Sequence, residues 1–467
     1  MVFSSPIFLF VFLPGVYLIY QLLPGIPSRN AWLALSSLVF YTFGQPVYAP
    51  LLLASVLVNY LFGLRLMAGR GRTAGMAGAA VCNLLFLGCF KYLDFLIRTV
   101  NALAGLNLPL SGIALPIGIS FYTFQGMSYV IDVYHDPQAG TRSLGKLILY
   151  ISFFPQLIAG PIIKYHDVSR QIDSRRITPE GTLFGLRRFL TGLGKKLLLA
   201  DTVSRAADAV FALTAAQLDA RLAWLGAVSY TLQIYFDFSG YSDMAIGLGA
   251  MFGFSFRENF CLPYLSRSIK EFWRRWHISL SSWFRDYLYI PLGGSRKGRA
   301  RTWINKFIVF FTTGLWHGAN WTFVVWGLWH GLFSTLEDIG LIPKRLRDSF
   351  LGHLYAMLVV TVGFVLFRAD SLGAAWVMIG QMFTGFALTP AHTLALRALL
   401  GPRTVCALLA AILLAFGLPQ RGAELAAKRA PAALVQSGQV LAYAGLFGLC
   451  VLNLSKATFS PFIYFQF

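Results

Sequence analysis

Charged side chains are scarce in this sequence, and acidic ones are the scarcest. Only 12% of the 467 residues are charged and 57% are hydrophobic. An ordinary soluble domain has about 25% charged residues. The shortage of charge therefore excludes a water-soluble globular protein and predicts an all-α polytopic membrane protein.

The positively charged residues are not concentrated in a separate basic domain. The chain has 39 Lys and Arg against 19 Asp and Glu, a net charge of +20. The basic residues cluster in short loops between apolar stretches, as the positive-inside rule predicts for cytoplasmic loops. We therefore expect no nucleic-acid binding. A basic cytoplasmic face would instead attract anionic membrane lipid or an anionic nucleotide-like donor.

Motifs for metal, cofactor and soluble-hydrolase chemistry are missing. The five cysteines form no CxxC pair, and no HExxH occurs, so we expect no metal site. No GxSxG elbow, Walker A loop or GxGxxG fingerprint is present either. We expect no bound cofactor.

Apolar stretches cover most of the chain and predict about 10–13 membrane crossings, some of them broken by Gly and Pro. We expect one multi-pass membrane domain over 1–467, with a catalytic core at about 115–370 and less diagnostic helices at 385–467. The N-terminal stretch lacks a basic n-region, so we expect a retained first span. The candidate spans are roughly 6–23, 30–45, 47–68, 74–97, 113–134, 144–162, 222–252, 303–318, 320–338, 351–368, 404–418 and 438–454.

Two segments depart from this pattern because they mix charged and apolar residues. Residues 179–213 resemble an interfacial helix. Residues 262–300 are expected on the cytoplasmic side, partly re-entrant and buried against other helices.

The stretch 314–331, GLWHGANWTFVVWGLWHG, places His317 and His330 in an apolar and aromatic context. Ionisable groups at membrane depth are costly and are usually kept for function. His317 follows Lys306 by 11 positions, or about 16 Å of helix, which places it near mid-bilayer. A neutral imidazole there suits a general base, and a core histidine bonded to a carbonyl is the alternative. The break at 318–320 predicts a new helix, and we favour a structural role for His330.

The segment FWRRWHISLSSWFRDY, residues 272–287, places His277 among arginines and tryptophans. Arginine binds phosphate and carboxylate through paired hydrogen bonds, so this segment could bind a phosphate-bearing donor. An interfacial aromatic belt is the alternative, with Asp286 simply paired to an arginine. The residues expected to bind the donor are Trp273, Arg274, Arg275, Trp276 and Arg285.

The stretch YFDFSGYSDMAIGL, residues 235–248, brings acid into an apolar span. Such acids pair with a buried Arg or His, or line a polar tunnel. A carboxylate that orients a histidine is one option, and a structural ion pair is the other, favoured for Asp243. The expected tunnel and supporting residues are Asp237, Ser239, Tyr241, Asp243, Trp316, Asn320 and His330.

Three long motifs resemble the membrane-bound O-acyltransferase (MBOAT) family, and most closely its alginate-acetylating subgroup. They are FWRRWHISLSSWFRDYLYIPLGG (272–294), TTGLWHGANWTFVVWGLWHG (312–331) and IYFDFSGYSDMAIGLGAMFGF (234–254), supported by PIGISFYTFQGMSYVIDVY (116–134). The resemblance implies a ring of helices around a central tunnel. It also implies that the family's invariant histidine is His317 and that a second functional histidine is His277.

The resemblance further implies an inner-membrane enzyme that takes acetyl from acetyl-CoA in the cytoplasm. A periplasmic SGNH-type acetyltransferase would receive it and acetylate a polysaccharide, which could be alginate, cellulose or peptidoglycan. D-alanyl transfer from a carrier-protein thioester to teichoic acid, a non-enzymatic export channel and a scaffold role are the alternatives. Ser239, Tyr241 and His317 are all conceivable acyl carriers, and direct transfer is equally compatible.

Overall fold

The computed structural model describes residues 1–69, 71–455 and 462–463 of the chain. This part of the chain is helical and contains no β-strand. It divides into two compact units: residues 1–189 with 242–257, and residues 190–241 with 258–467. The expectation of a single membrane domain stays a prediction.

Among the described residues, ten α-helices begin in the first unit, and the last of them extends five residues beyond it. They are α1 (Leu13–Leu22), α2 (Gly25–Gly44), α3 (Ala49–Met67), α4 (Arg72–Leu87), α5 (Leu93–Ala104), α6 (Ile119–His135), α7 (Leu144–Ser152), α8 (Phe154–Leu157), α9 (Tyr165–Asp173) and α10 (Pro179–Gly194).

The second unit carries the remaining helices, including most of the 32-residue α12. They are α11 (Asp201–Phe211), α12 (Ala220–Met251), α13 (Ile269–Arg275), α14 (Ile278–Phe284), α15 (Arg299–His317), α16 (Trp321–Ile339), α17 (Lys344–Arg347), α18 (Phe350–Arg368), α19 (Leu372–Thr384), α20 (Pro390–Leu399), α21 (Pro402–Ala415), α22 (Leu418–Ala427) and α23 (Ala432–Leu454).

Four helical stretches of the described chain are long and apolar enough to cross a membrane: Pro46–Met67, Arg72–Ala104, Phe350–Arg368 and Ala432–Leu454. A fifth is possible if α20 and α21, which are bent by 70°, act as one broken span. The protein is therefore an all-α polytopic membrane protein. The larger number of crossings expected from the sequence stays a prediction, because many other helices are short or interrupted.

Segment 179–213, expected to be an interfacial helix, consists of three successive helical pieces. A π-helical turn, Lys195–Ala200, separates α10 from α11 and buries Lys196, Leu197 and Ala200. The segment therefore contributes a buried charge as well as amphipathic surface.

Glycines bring α15 and α16 into close backbone contact. A side-chain carbon on Gly314 would overlap the Phe323 carbonyl, and one on Gly327 would overlap the Phe310 carbonyl. Small residues at such crossings allow helix backbones to approach closely. This packing fixes the position of the end of α15, where His317 lies.

Candidate active site

His317 is the last residue of α15, and its ring is buried. The next helix begins four residues later because Asn320 caps α16, accepting a hydrogen bond from the Thr322 amide at 3.2 Å. The predicted break at 318–320 is therefore confirmed.

Aromatic rings surround His317 on three sides. Its centroid lies 4.9 Å from that of Trp316, 5.0 Å from Trp326 and 5.2 Å from Phe367. Such a lining excludes water and strengthens any electrostatic interaction made inside it.

His277 lies at the junction between α13 and α14 and faces the same aromatic cluster. Its ring centroid is 6.3 Å from that of His317, 5.9 Å from Trp316 and 4.6 Å from Phe238. The two histidines that the sequence marked as functional are therefore neighbours in space.

The backbone of His277 is left-handed, with φ of 43°. A residue with a Cβ adopts this conformation at a cost of about 1–2 kcal/mol, and such strain clusters at functional sites. Among the described residues, Leu262 is the other non-glycine residue with positive φ. The strained turn at His277 is therefore held by its surroundings.

Asn259 stabilises the turn at His277 through hydrogen bonds, and this role of Asn259 was not predicted from the sequence. Its carbonyl oxygen accepts the Ile278 amide at 3.0 Å. Its side-chain Oδ1 accepts the Ser279 amide at 3.1 Å and the Ser279 hydroxyl at 2.9 Å, and lies 3.2 Å from His277 Nδ1. The short polar loop around Asn259 has no sequence feature that would have indicated this role.

These contacts favour one tautomer of His277. A backbone amide can only donate, so the Asn259 atom that accepts it is the oxygen. A proton on His277 Nδ1 satisfies its 3.2 Å contact with that oxygen, while the Ser279 hydroxyl lies further away, at 3.4 Å; this tautomer leaves Nε2 as the basic nitrogen of the neutral ring.

His330 lies in a separate aromatic box one side chain away from His317. Its ring is parallel to Phe272 at 6.0 Å and edge-on to Trp273 at 5.3 Å and Trp326 at 5.2 Å. Neither ring nitrogen has a hydrogen-bond partner among the described residues. The packing agrees with the structural role favoured from sequence, which stays a prediction.

The residues expected to bind the donor occupy different environments. Trp276 is buried against Phe260 and Phe272, with ring centroids 5.0 and 5.4 Å away, and Trp273 is partly buried. Arg275 pairs with Glu271 at 2.9 Å, Arg285 pairs with Asp286 at 2.7 Å, and Arg274 is exposed.

The two acids of 235–248 have structural partners. Asp237 accepts from Lys196 Nζ at 2.6 Å and from the Ile463 amide at 2.7 Å, so the option that it orients a histidine is wrong. Asp243 pairs with Arg188 at 2.7 Å, the ion pair favoured from sequence.

The neighbours of Asp237 on α12 are also buried. Ser239 is buried with no hydrogen-bond partner for its hydroxyl among the described residues, and the Tyr241 ring lies edge-on to Phe462 at 5.0 Å. Their proposed role in a tunnel stays a prediction.

A cavity of 230 Å³ lies at the ends of α11, α18 and α19. Arg368 on its wall directly follows Phe367, whose ring packs on His317. Its other lining residues are Val210, Phe211, Leu213, Ala215, Leu218, Ala369, Asp370, Ala374, Val377 and Met378.

Comparison with known proteins identifies the family. The model of the membrane-bound O-acyltransferase family matches residues 120–369. The chain is 42% identical to a probable alginate O-acetylase of Azotobacter vinelandii over the full length of both. It is 34% identical to a peptidoglycan O-acetyltransferase of Helicobacter pylori, over 80% of this chain and 78% of the relative.

A more distant relative is a teichoic acid D-alanyltransferase of Bacillus subtilis, 27% identical over 47% of this chain and 58% of the relative. The chain belongs to the membrane-bound O-acyltransferase family and is an O-acyltransferase.

Proposed function

We propose that this O-acyltransferase takes acetyl from cytoplasmic acetyl-CoA and passes it across the cell inner membrane. A periplasmic SGNH-type partner then transfers it to hydroxyls of an exopolysaccharide. The observation that carries the proposal is the buried pair His277 and His317, 6.3 Å apart in an aromatic lining. The similarity to relatives named as alginate and peptidoglycan O-acetyltransferases supports acetyl as the group and a polysaccharide as the final acceptor.

In the proposed step the acceptor hydroxyl attacks the thioester carbonyl. The new C–O bond forms as the C–S bond breaks, His317 takes the hydroxyl proton, and the CoA thiolate leaves and recovers a proton as CoA. General-base catalysis of this kind contributes about 10²–10⁴-fold. Holding hydroxyl and thioester together in a dry site supplies most of the remaining rate.

His277 acts as a positioning residue in this scheme. With Nδ1 committed to Asn259, the neutral ring presents a basic Nε2, which accepts a hydrogen bond and cannot donate one. It therefore suits orientation of the donor or of a bound hydroxyl better than polarisation of the thioester carbonyl.

The test uses purified protein in nanodiscs with radiolabelled acetyl-CoA and a co-reconstituted periplasmic partner. CoA release and label transfer are compared for the native protein, His317→Ala and His135→Ala. His135 is an exposed histidine at the end of α6, so its variant controls for loss of a histidine as such. We expect a loss of about 100-fold or more for His317→Ala and native rates for His135→Ala.

Three outcomes would contradict the proposal. A folded His317→Ala protein that transfers acetyl at the native rate would exclude the general-base role. Turnover of a carrier-protein thioester, with none of acetyl-CoA, would favour D-alanyl transfer. Acetyl or polysaccharide export that survives loss of His317 would favour a channel.

A further inference from the structure

A basic loop precedes the helix that carries His317. The loop comprises residues 295–301, SRKGRAR, and its four cations are exposed. Within the described chain, none of the four has an acidic partner at ion-pair distance. They are Arg296, Lys297, Arg299 and Arg301.

The loop has a defined backbone. Gly293, Gly294 and Gly298 have φ of 106°, 57° and 85°, which residues with a Cβ rarely adopt. Asn305 Nδ2 donates to the Gly294 carbonyl at 2.9 Å, which ties the start of the loop to the first turns of α15. The cations therefore project from a folded turn that begins the catalytic helix.

Two other arginines near the site, Arg275 and Arg285, are less available to an anion. Arg275 and Arg285, which the sequence suggested for the donor's phosphates, are neutralised by Glu271 and Asp286. A phosphate would have to displace a carboxylate from either, whereas the basic loop offers guanidinium groups that no carboxylate occupies.

The helix itself sets the distance from the loop to the reaction centre. Arg299 and His317 are the first and last residues of α15, so their Cα atoms are about 27 Å apart. An extended amide chain advances about 1.2 Å per bond, so the pantetheine arm of CoA spans about 16 Å from phosphate to sulfur. The remaining distance is within the combined reach of an arginine and a histidine side chain.

We infer that the basic loop binds the phosphate groups of the donor's nucleotide while the thioester lies beside His317. This inference rests on the proposed function, because it requires a phosphate-bearing thioester donor. It assigns the loop a binding role in addition to the orientation of the chain in the membrane, which is the general role of such residues.

The test replaces Arg296, Lys297, Arg299 and Arg301 together by Gln. The matched control replaces four exposed cations elsewhere in the same unit by Gln: Lys344, Arg421, Lys428 and Arg429. Steady-state transfer is measured with acetyl-CoA and with acetyl-pantetheine, which lacks the nucleotide. Equilibrium binding of CoA is measured separately in nanodiscs of neutral and of anionic lipid.

We expect the loop variant to raise KM for acetyl-CoA about tenfold or more, with kcat nearly unchanged and acetyl-pantetheine turnover unaffected. The native KM for acetyl-CoA should rise with ionic strength, and that of the loop variant should not. The control variant should behave as the native protein.

An unchanged KM for acetyl-CoA in the loop variant would overturn the inference and leave the proposed function intact. A variant whose only change is in its response to anionic lipid would overturn it in favour of lipid headgroup binding. If CoA binds through the loop but no acetyl is transferred, the proposed function fails and the phosphate site stands.

Discussion

The rings of His277 and His317 lie 6.3 Å apart, although one directly precedes α14 and the other ends α15. Trp316 lies against both rings, at 5.9 and 4.9 Å. A group between the histidines would be shielded from water and within reach of two imidazoles, as a hydroxyl and a thioester require in order to react.

Replacing His330 by Phe should leave acetyl transfer within about threefold of native. The box formed by Phe272, Trp273 and Trp326 is aromatic, and removing two buried nitrogens without partners should leave stability unchanged or raise it by about 1 kcal/mol. His317→Phe, the matched change in the neighbouring ring, should abolish transfer. Loss of activity in His330→Phe with an unchanged melting temperature would show that His330 takes part in the reaction.

Replacing Asn259 by Ala should lower both stability and transfer. The change removes the acceptor for Ser279 and for His277 Nδ1, and each buried donor left without a partner costs about 1–3 kcal/mol. Asn259→Asp keeps an acceptor oxygen and should retain more of both properties. Thermal unfolding in detergent and steady-state transfer give the two readouts; native kcat in a folded Asn259→Ala protein would exclude a positioning role.

Substituting Ala for Gly314 or Gly327 should separate α15 from α16. The new methyl group would meet the carbonyl of Phe323 or Phe310, and overpacking of this kind costs about 1–3 kcal/mol. Gly380 lies in α19 with open space around it, so Gly380→Ala serves as control and should be neutral or slightly stabilising. Equal melting temperatures for all three variants would show that α15 and α16 accommodate the added methyl group without loss of stability.

Replacing Lys196 by Met should destabilise the second unit by about 3–5 kcal/mol, because Asp237 would remain buried and charged. The double variant Lys196→Met with Asp237→Leu should recover much of that loss. Lys146→Met removes the exposed pair with Asp173, 2.5 Å long, and should cost less than about 1 kcal/mol. If the double variant is no more stable than Lys196→Met, the destabilisation comes from loss of the ion pair itself and not from the uncompensated charge of Asp237.

Stability should depend on the protonation of His166 at the surface of the first unit. Its Nδ1 lies 2.9 Å from Asp132 Oδ2, and this hydrogen bond raises the pKa of His166. The interaction should stabilise the fold fully below about pH 6.5 and be lost as the pH rises through the raised pKa. The side chain is 50% exposed, so the effect should stay below about 1 kcal/mol.

The measurement is the melting temperature of native protein and His166→Gln between pH 6 and pH 9, with His135→Gln as control. The difference in melting temperature between the native protein and His166→Gln should decrease as the pH rises. A difference in melting temperature that does not change with pH would exclude the His166–Asp132 interaction as the source of that difference.

Much of this protein could be inferred from local sequence. Low charge and long apolar stretches established a helical membrane protein, and the residues Gly-Ala-Asn at 318–320 predicted the end of α15. The long motifs around His277 and His317 identified the family. These features are local, since hydropathy, helix ends and motifs are each encoded by neighbouring residues.

The tertiary structure decided which residues meet. Asn259 is remote in sequence from His277, and no periodicity links Asp237 to Lys196, so neither partnership could be read from the chain. The sequence also could not show which arginines lack an acidic partner and can therefore bind an anion, because pairing with an acid depends on side-chain geometry. The sequence by itself determined the fold class and the chemically active side chains; packing of distant helices decided their tautomers, their partners and their distances, because those properties arise only where separate segments touch.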